Sequence, residues 1–104
     1  MIKVTVLYPN EEGKKFDHVY WSTTHLALVQ SLLGPVGLVN GEMEKGVSGT
    51  DPNSPAPFIA VAHLCFNTTD AVHEAFKTHG SAIIGDIANY TDIKPQFQIS
   101  ETLL

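Results

Sequence analysis

The feature that most constrains the fold is the stretch Phe58–Phe66, in which His63 is the only residue that is not apolar. A continuous apolar run of this length, preceded by a loop rich in proline and serine, is typical of a central β-strand buried on both faces. A chain with such a strand needs further strands beside it and a second layer to cover them.

Candidate neighbouring strands precede and follow this segment. Residues 2–8 alternate in a strand-like pattern that ends at Pro9, which predicts a first strand. Residues 36–47 keep a period of two, but their glycines predict a second strand with a bulge or a partly exposed face. Residues 48–57 have the composition of a surface loop, and residues 96–102 predict a last strand at a sheet edge.

Two amphipathic helices are predicted between these strands. Asp17 is expected to cap the first, which ends at Gly34 and Pro35, and residues 67–70 are expected to cap the second. The first helix should carry two adjacent stripes, Val19, Leu26, Val29 and Leu33 on one and Trp21, His25, Leu28 and Leu32 on the other. The second should carry Val72, Ala75, Phe76, His79 and Ile83 on one side.

The predicted order of elements is strand, helix, strand, strand, helix, strand. This order is the ferredoxin-like βαββαβ plan, an α+β fold with a four-stranded antiparallel sheet and both helices on one face. A chain of 104 residues forms one domain, residues 1–104. The helices leave the other face of the sheet bare, and an exposed apolar sheet is an association site. We therefore expect a homodimer that packs sheet against sheet.

Charge and cysteine content exclude several classes of partner. Eleven acidic against six basic residues give a formal charge of -5 at pH 7, so no basic patch is available for phosphates or anionic lipid. No stretch approaches the roughly 18 apolar residues of a membrane helix, and the first residues do not form a signal peptide. Cys65 is the only cysteine, which suits a reducing compartment. We expect a cytoplasmic protein without nucleic-acid or membrane partners.

Several patches of the chain resemble the EthD-like family, which is named for ethyl tert-butyl ether degradation. They are residues 2–9, 16–17, 20–25, 32–35, 89–93 and 98–101. The resemblance runs nearly end to end, and it implies a dimeric α+β barrel in which two facing sheets enclose one cavity per subunit. The family often has a proline two positions after the histidine, where this chain has Ala27. Relatives with this barrel include cyclases, isomerases, decarboxylases, cofactor-free monooxygenases and haem-degrading enzymes, so the fold alone does not define the reaction.

His25 is the candidate catalytic residue, because imidazole exchanges protons near neutral pH and a helix beside a sheet holds it rigidly. The alternative is a structural His25, hydrogen-bonded between the first helix and the polar segment 89–91. The residues expected to bind substrate are Tyr8, Tyr20, Trp21, His63, Asn89, Tyr90 and Thr91. Tyr20 and Trp21 fit a core role better, because aromatic residues one turn from a histidine more often belong to the core. For Asn89, Tyr90 and Thr91 a structural role is equally consistent, and Asp92 is expected to serve the turn.

Other histidines in the sequence are candidate ligands for a metal ion or for haem. His63 and Cys65 share a face of one strand, but a zinc site needs three or four protein ligands and no second pair accompanies them. His73 and His79 are six residues apart and therefore lie on different faces of a helix. His79 would ligate haem only in a wide lumen. We expect neither a metal nor a cofactor.

Two functions remain open. The first is a cofactor-free enzyme, an oxidoreductase of the monooxygenase type or an isomerase or cyclase, in which His25 acts as acid or base on a small hydrophobic, aromatic or oxygenated compound. The second is a non-catalytic protein of an ether or aromatic degradation pathway. It would bind a hydrophobic intermediate or assist a partner monooxygenase, and His25 would be structural.

Overall fold

The computed structural model describes residues 1–104 as an antiparallel four-stranded sheet whose one face is covered by two helices. The first helix spans residues 18–33 and the second spans Thr69–Asp86. The strands, in the spatial order β2-β3-β1-β4, are β1 (Ile2–Pro9), β2 (Asn40–Lys45), β3 (Phe58–Phe66) and β4 (Gln96–Glu101). The predicted βαββαβ order and ferredoxin-like α+β class are confirmed.

The pleat of the sheet turns alternate residues toward the helices. Val4 of β1 lies opposite Leu64 of β3 and Ile99 of β4, and all three point to the helix side. The even-numbered residues of β1 are buried, whereas the odd-numbered ones are half-buried. β3 alternates in the same way and is not buried on both faces, because nothing in a single chain covers the face that carries Ile59 and Val61.

The first helix contains a π-helical turn, Trp21–His25, between two α-helical segments. Asp17 caps the helix as predicted, because its carboxylate accepts a hydrogen bond from the Tyr20 backbone N–H at 3.0 Å. The wider turn rotates the residues after it relative to those before it, so the expected stripe beginning at Val19 is wrong. Val19 is 73% exposed. The buried face consists of Trp21, His25, Val29 and Leu33.

β2 is shorter and more regular than predicted. A 3-10 turn follows the first helix, and Gly37 ends it in the left-handed region at φ 119°, so the strand begins only at Asn40. β2 pairs with β3 without a bulge. Of the two alternatives expected for this strand, the partly exposed face is therefore confirmed and the bulge is absent. The register irregularity lies instead between Tyr8 and Pro9 of β1.

The second helix begins as the sequence predicts. The Thr68 side chain accepts a hydrogen bond from the Ala71 N–H at 3.1 Å, which satisfies one of the free donors at the helix start. Val72, Ala75 and Ile83 are buried on its inner side, whereas Phe76 and His79 are half-buried. Neither helix combines the length and apolar character that a membrane-spanning segment requires.

The chain between the second helix and β4 is held against the start of the first helix. A 3-10 turn, Ile87–Asn89, leads from the helix to Tyr90, which is 1% exposed. The backbone N–H of Asp17 donates to the Tyr90 carbonyl at 2.8 Å, and Phe16 forms a β-bridge with Thr91. Residues far apart in the sequence therefore meet at this end of the sheet.

Candidate functional site

His25 occupies the last position of the π-helical turn and lies in the layer between the helices and the sheet. The residue is 4% exposed. Its Nδ1 atom is 2.8 Å from the Oδ2 atom of Asp86, the last residue of the second helix. A carboxylate at Nδ1 fixes the ring and favours the tautomer whose Nε2 atom accepts a proton. Single π-helical turns are common at functional sites.

Asp86 is held by two further hydrogen bonds. The Tyr20 hydroxyl and the Asn89 side-chain amide each donate to its Oδ1 atom at 2.8 Å. Burial by itself raises the pKa of Asp86, but the hydrogen bonds from His25, Asn89 and Tyr20 outweigh burial and lower that pKa below its ordinary value. Asp86 is therefore ionised near neutral pH and accepts hydrogen bonds from three side chains.

A pair of tyrosines lies on the other side of the imidazole. The Tyr90 hydroxyl is 3.4 Å from the Nε2 atom of His25, and it is 2.6 Å from the Tyr8 hydroxyl. Burial raises the pKa of both tyrosines, so both hydroxyls keep their protons at neutral pH. A row of exchangeable protons thus connects Asp86, through His25 and Tyr90, to Tyr8.

Tyr8, Trp21 and His25 line a cavity of about 30 Å³ whose other walls are apolar side chains of the sheet and both helices. A water molecule needs roughly 10–15 Å³ by this measure, so the cavity accommodates a hydroxyl or carbonyl group. It lies on the helix side of the sheet, inside one subunit. This position differs from the expected chamber between two facing sheets, because Tyr8 belongs to the buried, helix-facing register of β1.

The structure brings most of the predicted site residues into this network, with different contacts. Tyr8, Trp21 and His25 line the cavity, and Tyr90 contacts Tyr8 and His25 behind it. Tyr20 and Asn89 contact Asp86. Thr91 is buried next to Tyr90, but its hydroxyl donates to the Lys15 carbonyl and accepts from the Ile93 N–H. Asp92 accepts a hydrogen bond from the Lys15 N–H at 3.0 Å. Both residues thus stabilise the turn.

His63 lies apart from the other candidates, on the face of the sheet that the helices leave open. Its Nε2 atom is 3.2 Å from a carboxylate oxygen of Glu44, and its Nδ1 atom is 3.4 Å from the Thr5 hydroxyl. No group of three or more His, Cys, Asp or Glu side chains is placed to hold a metal ion. His79 lines neither this cavity nor the apolar groove next to it.

Asp86 is the site residue that sequence reasoning missed. One signal was present: a carboxylate at the C-terminal end of a helix opposes the helix dipole, which favours cations there. The partner that explains Asp86 lies 61 residues earlier in the chain, and no local pattern connects the two.

The family model of the EthD domain matches residues 11–94. This chain belongs to the EthD family. An EthD-like protein from Ralstonia eutropha JMP134, of solved structure, is 40% identical, with a TM-score of 0.93 over 99% of this chain and 92% of that one. The predicted resemblance is therefore confirmed.

Two more distant structures share the fold of this EthD-family protein. An EthD family protein from Bacillus halodurans C-125 is 18% identical, with a TM-score of 0.69 over 99% of both chains. SnoaB, a cofactor-independent oxygenase from Streptomyces nogalater, is 11% identical, with a TM-score of 0.64 over 99% of this chain and 92% of that one. No curated protein matches the sequence.

Proposed function

We propose that this EthD-family protein binds a small apolar compound with a hydroxyl or carbonyl group and transfers a proton to or from it without a cofactor. The observation that carries the proposal is the pair formed by the buried His25 and the partly buried Asp86, which Tyr90 and Tyr8 connect to an apolar cavity. Burying an ionisable pair is a weak way to stabilise a fold, whereas such pairs recur at catalytic sites.

The proton path follows the hydrogen bonds. A ligand with an acidic O–H or C–H group beside Tyr8 gives its proton to the Tyr8 oxygen, while Tyr8 passes its own proton to Tyr90 and Tyr90 passes its own to Nε2 of His25. The ligand keeps the electron pair as an anion, and Asp86 stabilises the imidazolium. Return of the proton to a different atom of the ligand completes an isomerisation. In a cyclisation the anion attacks a carbonyl carbon of the same ligand, the C=O π electrons move to oxygen, and the returned proton neutralises that alkoxide.

The same first step serves an oxygenase. A deprotonated, electron-rich substrate is the form that reacts with dioxygen without a cofactor. SnoaB, which shares the fold, is named a cofactor-independent oxygenase. Oxygenase and isomerase functions therefore share the acid–base role of His25. They differ only in whether the anion reacts with dioxygen or takes up a proton at a different atom.

Hydrogen exchange on a simple ketone tests the acid–base role. We expect the wild-type protein to accelerate exchange of the α-protons of 2-hexanone in D₂O, followed by proton NMR. His25→Gln should abolish the acceleration, and Asp86→Asn should lower it by about a hundredfold, the lower end of general acid–base contributions. Glu74→Gln makes the same carboxylate-to-amide change at an exposed position of the same helix and should leave the rate unchanged. Acceleration that survives His25→Gln contradicts the proposal.

One observation favours the second candidate, a non-catalytic binding protein. Both ring nitrogens of His25 are engaged inside the protein and the residue is almost fully buried, as a structural histidine would be. In that function the protein would hold a hydrophobic intermediate for a partner monooxygenase in ether or aromatic degradation. A loss of thermal stability in His25→Gln without any change in exchange rate supports this alternative.

We also propose that the protein is a cytoplasmic homodimer. On the open face of the sheet, Leu7, Ile59, Val61 and Cys65 are half-buried within a single chain and form a band of apolar side chains. A second copy of this face would cover that band. The lone, unpaired Cys65 suits a reducing compartment.

A further inference from the structure

A larger apolar groove of about 280 Å³ opens beside the cavity, between the second helix and strands β1 and β4. Its walls are Val4, Val72, His73, Phe76, Ile84, Phe97 and Ile99. Phe76, Ile84 and Phe97 also line the inner cavity, so these three side chains form a common wall between the two spaces. The groove and the cavity therefore adjoin each other at these three side chains.

We propose that the cavity and the groove are two parts of one elongated ligand site, in which the cavity holds a polar head and the groove holds an unbranched apolar tail. This inference rests on the proposed function for the head and adds the chemical class of the rest of the ligand. The ligand is thus a phenol, alcohol or ketone with a linear hydrocarbon chain.

The sizes of the two spaces assign the two ends of the ligand. The cavity accommodates one small polar group beside Tyr8 and His25. The groove approaches the lower end of small-ligand pockets, about 300 Å³, and His73 is its only polar wall. A polar head in the groove would leave its hydrogen bonds unmade, whereas a hydrocarbon tail there would not.

Three exposed apolar side chains lie next to one another along the groove. Ile84 is 52% exposed, Phe97 is 49% exposed and Ile99 is 44% exposed, and all three line this one feature. Contiguous exposed apolar surface of this kind marks a binding site, whereas scattered apolar residues do not. Phe76 and Phe97 at the common wall offer aromatic faces to a planar ring.

The spacing along the elements sets the length of the tail. Phe97 and Ile99 are two residues apart on β4, which corresponds to roughly 7 Å. Phe76 and Val72 are four residues apart on the second helix, which corresponds to about 6 Å. An extended chain advances roughly 1.2 Å per bonded atom, so a tail of roughly six atoms fills the groove beyond the common wall.

A series of 4-alkylphenols from phenol to 4-octylphenol, titrated calorimetrically into the full-length protein, tests the inference. We expect Kd to fall by roughly fourfold for each added methylene, the value for full burial of a CH₂ group. The gain should stop near six carbons. Quenching of Trp21, the only tryptophan, checks that the head reaches the cavity. An affinity that does not depend on tail length, or no binding by any member, overturns the inference.

A matched pair of variants locates the tail. Ile99→Thr replaces an apolar groove side chain by a β-branched polar one and should flatten the dependence of Kd on tail length. Val47→Thr makes the matching change at a side chain that is 91% exposed and far from the groove, and should keep the wild-type dependence. An unchanged dependence in Ile99→Thr overturns the inference.

The two proposals fail separately. A normal dependence on tail length, together with ketone exchange that survives His25→Gln, keeps the elongated site and removes the acid–base role. Exchange that requires His25, together with a flat series of alkylphenols, keeps the acid–base role and removes the tail site.

Discussion

At the residue scale, Asp86 joins the proposed function to stability, because the same hydrogen bonds orient His25 and keep the carboxylate ionised. Burial opposes ionisation but is outweighed, so the pKa of Asp86 is lower in the folded chain than its ordinary value of 3.8. A carboxylate with a depressed folded pKa contributes stability above its unfolded pKa. That contribution disappears as the pH falls through the folded pKa.

The effect of Asp86→Asn on the free energy of unfolding should therefore depend on pH. We expect the loss relative to wild type to be largest above pH of about 5 and to shrink as the pH falls below about 4. Urea unfolding across this range measures it, with Glu74→Gln as the exposed carboxylate control. The hydrogen bond from the Lys15 backbone also lowers the pKa of Asp92. Asp92 is present in all three proteins, so its effect on stability cancels in the comparison. A pH-independent loss would contradict this account.

The hydroxyl pair of Tyr8 and Tyr90 gives a second prediction at this scale. Tyr8→Phe and Tyr90→Phe each leave one buried hydroxyl without its 2.6 Å partner, which should cost about 1–3 kcal/mol in the free energy of unfolding. The double variant removes both groups, so its loss should be smaller than the sum of the single losses. Urea unfolding of the four proteins checks this, and strictly additive losses would refute direct coupling.

The same residues show how far the site could be predicted from sequence. His25 stands out locally, because a titratable ring in an apolar helix stripe needs an explanation. Asp86 gains its role from partners at positions 20 and 25, and only the tertiary fold brings them together. His63 has an equally unusual local context, yet the pleat of β3 turns it to the other face of the sheet.

At the element scale, the spacing of apolar residues was sufficient to predict every strand and both helices. It did not predict that a single chain covers only one face of β3, and it missed rotation within one helix. The pattern assumed 3.6 residues per turn, whereas the π-helical turn at Trp21–His25 is wider, so Val19 points outward. The local sequence contains no proline or glycine that would signal this turn.

Capping of the second helix gives a prediction at this scale. The helix carries Asp86 at its far end, so its start and its orientation matter to the site. Thr68→Ala removes the side chain that accepts from the Ala71 N–H and should lower the free energy of unfolding by about 1 kcal/mol. Thr69→Ala makes the same change one residue later, inside the helix, and should have a smaller effect. Equal losses in the two variants would contradict a capping role for Thr68.

At the scale of the whole molecule, the two faces of the sheet carry different features. The helix side holds the cavity, the groove and the His25 network. The open side carries His63, Glu44 and the apolar band of β1 and β3. Because residues of one chain line the whole cavity, we expect the proposed assembly through the open side and the proposed ligand binding to be independent of each other.

This independence predicts how a variant of the open face should behave. Light scattering should give the wild-type protein twice the chain mass of 11.3 kDa. Val61→Lys places a charge in the middle of the apolar band and should yield a monomer, since burying its charge between two sheets is costly even with Glu44 directly opposite it on β2. Val47→Lys, at an exposed loop position, should remain dimeric. The Val61→Lys monomer should still bind 4-alkylphenols with the wild-type dependence on tail length, because cavity and groove lie across the sheet from residue 61. A wild-type monomer would refute the dimer, and a monomeric variant that no longer binds would show that the second copy completes the site.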